Sequence, residues 1–150
     1  MKTSTQNPPE TSVSSGPHGS ESRLGHIRLE IGEDRIAVLT FDHPDSSANI
    51  LDHATLRELE EHLTQVDVSC NLKDLILTSP KPTIFIAGAD VNSLANLPVS
   101  ELEDYLRLGQ KVMNKLEDLN IPVVSAIHGS CLGGGLEVAL ASHWRVASDD

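Results

Sequence analysis

Aromatic side chains are scarce in this chain: Phe41, Phe85, Tyr105 and Trp144 are the whole set among 150 residues. A core built from its 39% hydrophobic residues must therefore be aliphatic. Basic residues are also few, with 11 Lys and Arg against 22 Asp and Glu, for a formal net charge of −11. That balance argues against a nucleic-acid backbone or an anionic membrane surface as partner, since both are negative themselves. An anionic small molecule stays compatible, because a pocket needs only a few local donors and backbone N–H groups can supply them. The two cysteines, Cys70 and Cys131, are too few for a disulfide framework and read as reduced thiols beside apolar neighbours. No apolar run is long enough to span a bilayer. The opening Met1-Lys2-Thr3-Ser4 has no secretory apolar stretch, and Glu10 and Glu21 make the segment a poor organelle transit peptide. A cytoplasmic location is the expectation.

Residues 1–23 are mainly Ser, Thr, Pro, Gly and other polar types with almost nothing to bury, and read as a disordered leader. From there the pattern turns regular. Ile27, Leu29 and Ile31 alternate with polar residues, as in a half-exposed strand. After Gly32-Glu33-Asp34 a nearly continuous apolar run, Ile36 to Phe41, predicts a more buried strand, and the short link predicts a hairpin. Leu56, Leu59, Leu63 and Val66 then recur at helical spacing behind Asp52, a candidate cap. Leu75 to Thr78 and Thr83 to Ile86 read as strands. Ser100 followed by Glu103 has the capping-box pattern, ahead of a helix face of Leu102, Tyr105, Leu106, Val112, Met113, Leu116 and Leu119. Val123 to Ile127 reads as a strand, Leu136 to Ser142 as a helix and Trp144 to Ala147 as a last strand. Strands alternating with helices predict an α/β fold, and the strand-strand-helix grouping fits a spiral stack. Periodicity alone leaves a doubly wound sheet open.

Two junctions carry the chemistry. Phe85-Ile86-Ala87-Gly88-Ala89-Asp90 and Gly129-Ser130-Cys131-Leu132-Gly133-Gly134-Gly135-Leu136-Glu137 each follow a strand and precede a helical segment. Small residues there let backbone approach a ligand, and helix starts present unpaired N–H groups. Two such turns face to face would aim two donors at one oxygen, which suits a transition state with negative charge on a carbonyl oxygen. The triple glycine equally permits close helix–strand packing. Neither a G-x-G-x-x-G dinucleotide fingerprint nor a G-x-x-x-x-G-K-[ST] phosphate loop is present. Glu137 either complements the helix dipole or acts as a general acid/base; its apolar neighbours from Leu136 to Ala141 favour a pocket-lining or paired acid. Asp90 either caps the segment from Val91 to Leu97 or lines the pocket. The seven histidines show neither H-x-x-x-H nor H-E-x-x-H spacing, so no metal is assigned, and His143 beside Trp144 reads as a packing residue.

Together these segments resemble the crotonase family (enoyl-CoA hydratase/isomerase). Phe85 to Asp90 match the family's F-x-A-G-A-D, Gly129 to Glu137 match its G-x-x-L-G-G-G-x-E, and Asn49 matches its usual asparagine. The resemblance implies that residues 24–150 are the N-terminal portion of a crotonase-like acyl-CoA domain: an α/β spiral of strand-strand-helix units, incomplete at its C-terminus. It implies an oxyanion hole from the N–H groups of Ala89 and Gly134, Glu137 as the first of two catalytic glutamates, and substrate or CoA contacts from Asn49, Ile86, Ala87, Gly88, Asp90 and Gly133. The implied reaction is hydration of a 2-enoyl-CoA in fatty-acid β-oxidation, with isomerisation or thioester hydrolysis as alternatives. An inactive, truncated acyl-CoA-binding fragment is the alternative of another class. The wording from Ser130 to Glu137 looks most like the hydratase part of multifunctional fatty-acid oxidation proteins (the alpha subunit). The expectation is thus a piece of a longer enzyme whose second glutamate follows residue 150. Hydration would need no cofactor, with NAD entering only if a dehydrogenase domain follows. The complete protein would form a homo-oligomer or pair with a thiolase-type subunit.

Overall fold

The computed structural model describes residues 25–44 and 46–149; the expected leader, residues 1–23, lies outside the described residues. The chain runs β1 (Ile27–Ile31), β2 (Ile36–Phe41), α1 (His53–Val68), β3 (Asp74–Thr78), β4 (Ile84–Ile86), α2 (Val91–Ala95), α3 (Val99–Glu117), β5 (Val123–Ile127), β6 (Ser130–Cys131), α4 (Gly134–Ala141) and β7 (Trp144–Ala147). A five-stranded sheet has the order β1-β2-β3-β5-β7, and a two-stranded sheet pairs β4 with β6. Only β1 and β2 are antiparallel; every other pairing is parallel. Each later unit therefore places one strand in the large sheet, one in the small sheet, and then a helix.

The expected hairpin forms, with Arg35 N–H donating to Gly32 O and Gly32 N–H to Ile36 O. In β2 the apolar run is largely buried, with Ala37 and Leu39 at 0% exposure in the core, because the strand lies inside the sheet between β1 and β3. Helix α1 buries Leu56, Leu59, Leu63 and Val66, the stripe read from the sequence, and Asp52 caps it by accepting from Thr55 N–H at 2.7 Å. Helices α1 and α3 pack side by side. Outside their apolar seam, Lys111 pairs with Glu60 at 2.6 Å and Lys115 Nζ donates to Thr64 Oγ1 at 2.7 Å.

Three expectations change. The capping box at Ser100 does not form: α3 starts two residues earlier than a Ser100 cap implies, at Val99, with Pro98 as its N-cap and no side-chain cap. Pro98 already has the extended backbone of a cap (φ −56°, ψ 149°), so Ser100 falls inside the first turn, where its hydroxyl cannot cap. On the same helix Tyr105, Val112 and Leu116 are buried, but Leu106 faces outward at 58% exposure. The glycine-rich segment after β5 contains an unanticipated strand, β6. Its two residues are too few to show a period of two, and only the partner β4 defines it.

Candidate active site

The two glycine turns lie against each other because β4 and β6, which lead into them, are hydrogen-bonded neighbours. Leu132 N–H donates to Ile86 O at 3.1 Å, and a Cβ placed on Gly133 would stand 3.7 Å from Gly88 Cα. Gly88 has φ +107°, and a side chain there would meet Leu132 O at 3.0 Å and Gly134 N at 3.6 Å. Only glycine fits that conformation and that gap. At Gly135 a Cβ would collide with the Ile86 carbonyl, so α4 lies directly on β4.

The segment from Asn49 to Leu51 fastens both turns. Ala87 N–H donates to Asn49 O and Leu51 N–H to Gly88 O, each at 2.8 Å. The Leu51 side chain lies beside Gly134, its Cδ1 3.0 Å from where a Cβ would be. Tyr105, 8% exposed, donates its hydroxyl proton to Leu51 O at 2.6 Å. Burial raises the Tyr105 pKa, as do the carboxylates of Glu137 and Asp52, so the hydroxyl remains a donor. Among the described hydrogen bonds of the two turns, none uses the N–H of Ala89 or of Gly134.

Glu137 sits in the first turn of α4, its N–H donating to Gly133 O at 3.0 Å. With Gly134, Tyr105, Leu51, Met113 and Leu140 it lines a cavity of about 410 Å³. Its side chain is exposed, so α4 presents this acid outward from an otherwise small and apolar helix. Across the Leu51–Tyr105 contact lies a second cavity of about 430 Å³, with an apolar floor that includes Leu94 and Leu97 and a rim that includes Asp52, Asp90 and Asp104. The cavity that Asp90 borders is this second one, not the one lined by Glu137, and Asp90 caps α2 as expected by accepting from Asn92 and Ser93 N–H. The Ser93 hydroxyl and amide hydrogen bonds lower its carboxyl pKa.

Two of the residues expected at the ligand have side chains turned into the core. The Asn49 side chain, 3% exposed, lines neither of these cavities: Nδ2 donates to Phe41 O, Ser79 Oγ and Phe85 O, and Oδ1 accepts from His43 N–H. Ile86 is fully buried at 0% exposure. Ile86 ends β4, whose pairing with β6 runs inside the core, and the Asn49 hydrogen bonds hold the start of the turn from behind. Ala87, Gly88, Ala89, Gly133 and Gly134 do come together at the junction. His143 is exposed and held by hydrogen bonds instead of packed on Trp144, accepting from Val123 N–H and donating to Glu117 O, each at 3.0 Å. Leu51 and Tyr105 were not singled out as site residues by their spacing. The available signal was that the chain's one tyrosine falls on an apolar helix face, where its hydroxyl needs an acceptor.

Residues 32–150 match the enoyl-CoA hydratase/isomerase family. The fatty acid oxidation complex subunit alpha of Shewanella oneidensis is 46% identical over 119 residues, which are 79% of this chain and 17% of that protein. A crystal structure of enoyl-CoA hydratase from Bacillus anthracis superposes with a TM-score of 0.75 at 31% identity, covering 81% of this chain and 47% of that one. An enoyl-CoA hydratase structure from Geobacillus kaustophilus shares the fold with a TM-score of 0.79 at 23% identity, covering 85% of this chain and 47% of that one. The chain thus spans under a fifth of the curated relative and about half of the solved ones. Match and superposition together cover the strand-strand-helix units and both glycine turns, and the chain belongs to the enoyl-CoA hydratase/isomerase family.

Proposed function

We propose that this chain carries the thioester-binding half of a 2-enoyl-CoA hydratase site, within a fatty-acid oxidation protein of the alpha-subunit kind. In this reading the amides of Ala89 and Gly134 receive the thioester oxygen. Water adds its oxygen to the β-carbon while the π electrons move onto the thioester, giving an enolate whose charge those two N–H groups stabilise. The enolate collapses as the α-carbon takes a proton. Glu137, beside Gly134 in the same cavity, either accepts the proton of the water or delivers one to the α-carbon. The second proton-handling carboxylate is assigned to the part of the family domain beyond the matched half. The observation that carries the reading is the meeting of two glycine turns whose Ala89 and Gly134 amides take no part in the turns' own hydrogen bonds, one of them opening the helix that bears Glu137.

Further assignments rest on the same reading. The substrate is an acyl-CoA thioester. The longer protein works in the cytoplasm, as a homo-oligomer or with a thiolase-type subunit, and NAD enters only through an attached dehydrogenase domain.

The decisive assay follows crotonyl-CoA hydration by loss of the conjugated thioester absorbance, using the protein expressed from its full gene. Glu137→Gln is expected to lower kcat by about two to four orders of magnitude while KM stays nearly unchanged. An unchanged kcat removes Glu137 from the mechanism. Turnover of a 3-enoyl-CoA without hydration would assign an isomerase instead.

A further inference from the structure

Three ligand-type side chains meet where the hairpin joins α1, on residues the proposed reaction does not use. We propose that His26, His43 and Asp52 form a binding site for a divalent transition cation of the zinc class. One nitrogen from each imidazole and one carboxylate oxygen lie within 4.8 Å of one another. Donors around a tetrahedral zinc ion sit about 3.4 Å apart at bond lengths near 2.1 Å. The three groups therefore close on an ion through side-chain shifts of about an ångström.

The cluster is largely arranged in advance. The His26 and His43 rings stack with centroids 4.0 Å apart and planes 26° apart. His26 N–H donates to Glu58 Oε2 and its Nδ1 meets Thr55 Oγ1, each at 2.7 Å. His43 N–H donates to Asn49 Oδ1 at 3.0 Å, which fixes the other backbone. Asp52 uses Oδ1 to cap α1, and that atom lies 3.8 Å from His26 Nδ1; its second oxygen has no hydrogen bond among the described residues. His43 Nδ1 is buried and likewise has no hydrogen-bond partner among the described residues. An orphaned imidazole nitrogen beside a second imidazole and a carboxylate is the environment a borderline cation resolves. Two nitrogens and one oxygen, with no thiolate, suit zinc bound through three side chains and a water. All three side chains are only partly buried, which leaves an entry path.

No linear spacing announces such a site. Its ligands come from the residue before β1, the loop after β2 and the cap of α1, and only the fold brings them together. An ion there would tie the hairpin to the segment containing Leu51, whose N–H holds Gly88 O.

Calorimetric titration of the metal-stripped protein with zinc chloride tests the site without reference to enzymatic activity. One equivalent is expected to bind, and His43→Ala and Asp52→Asn are each expected to weaken it at least about tenfold. Asp52→Asn also disturbs the α1 cap, so His43→Ala, checked for native circular dichroism, decides the matter. Loading with Co²⁺ should give visible d–d absorption that His43→Ala removes. Absence of stoichiometric binding, or unchanged affinity in His43→Ala, overturns the proposal; the latter would place the ion on the remaining histidines and cysteines.

Discussion

An amide side chain is tolerated in an aliphatic core only when its hydrogen bonds are met, and Asn49 meets them through four partners: Phe41, His43, Ser79 and Phe85. Removing it leaves the Phe41 and Phe85 carbonyls competing for fewer donors in a place water does not reach. Asn49→Ala is expected to cost about 2–4 kcal/mol in urea denaturation, against less than about 0.5 kcal/mol for an exposed asparagine such as Asn92. A stability loss below about 1 kcal/mol would show that these hydrogen bonds do not hold the core in solution. The motif named the residue, and only the fold shows where its side chain points. A motif records which residue types recur at a position, and an asparagine aimed at a ligand has the same letter as one aimed into the core. For Glu137 the small and apolar neighbours pointed to a pocket-lining acid, and it lines a cavity with Gly134.

At the scale of elements, the caps show how far local sequence decides. Asp52 and Asp90 cap α1 and α2 as their positions suggested, while Pro98 displaced Ser100 at α3. Asp90 carries a pH consequence. Its Ser93 hydrogen bonds put the folded pKa below the unfolded value of 3.8. A depressed carboxyl value means the cap's contribution is complete above the unfolded value and is lost as pH falls through the folded one. Carbon-13 titration of the Asp90 carboxyl should therefore give a midpoint below 3.8, moving up toward it in Ser93→Ala. A wild-type midpoint at or above 3.8 would show that the cap does not form in solution.

Over the whole molecule, large apolar side chains stay exposed on the last two elements among the described residues. Leu136 and Leu140 on α4 are 47% and 63% exposed, and Trp144 and Val146 on the edge strand β7 are 66% and 62% exposed. Four large apolar groups beside an unpaired strand edge favour association. The 150-residue chain is expected to self-associate as its concentration rises in sedimentation velocity. Leu140→Lys with Val146→Lys should suppress this while changing unfolding free energy by less than about 1 kcal/mol, since neither side chain is buried within the chain. A monomeric wild type across the concentration range would contradict the prediction. Among the described residues, no helix is long and apolar enough to cross a membrane.

The order of strands and helices, the stripe of α1, the hairpin and the two glycine turns followed from sequence, because each depends on spacing within a few residues. Pairing did not. The two residues of β6 are a strand only because β4 lies beside them, and the spiral was one of two stacks the same alternation allowed. Tyr105 on Leu51 O, Asn49 inside the core and His26 against His43 join residues 54, 36 and 17 positions apart. Contacts at that range depend on the closure of the whole chain, and no local period or propensity records them.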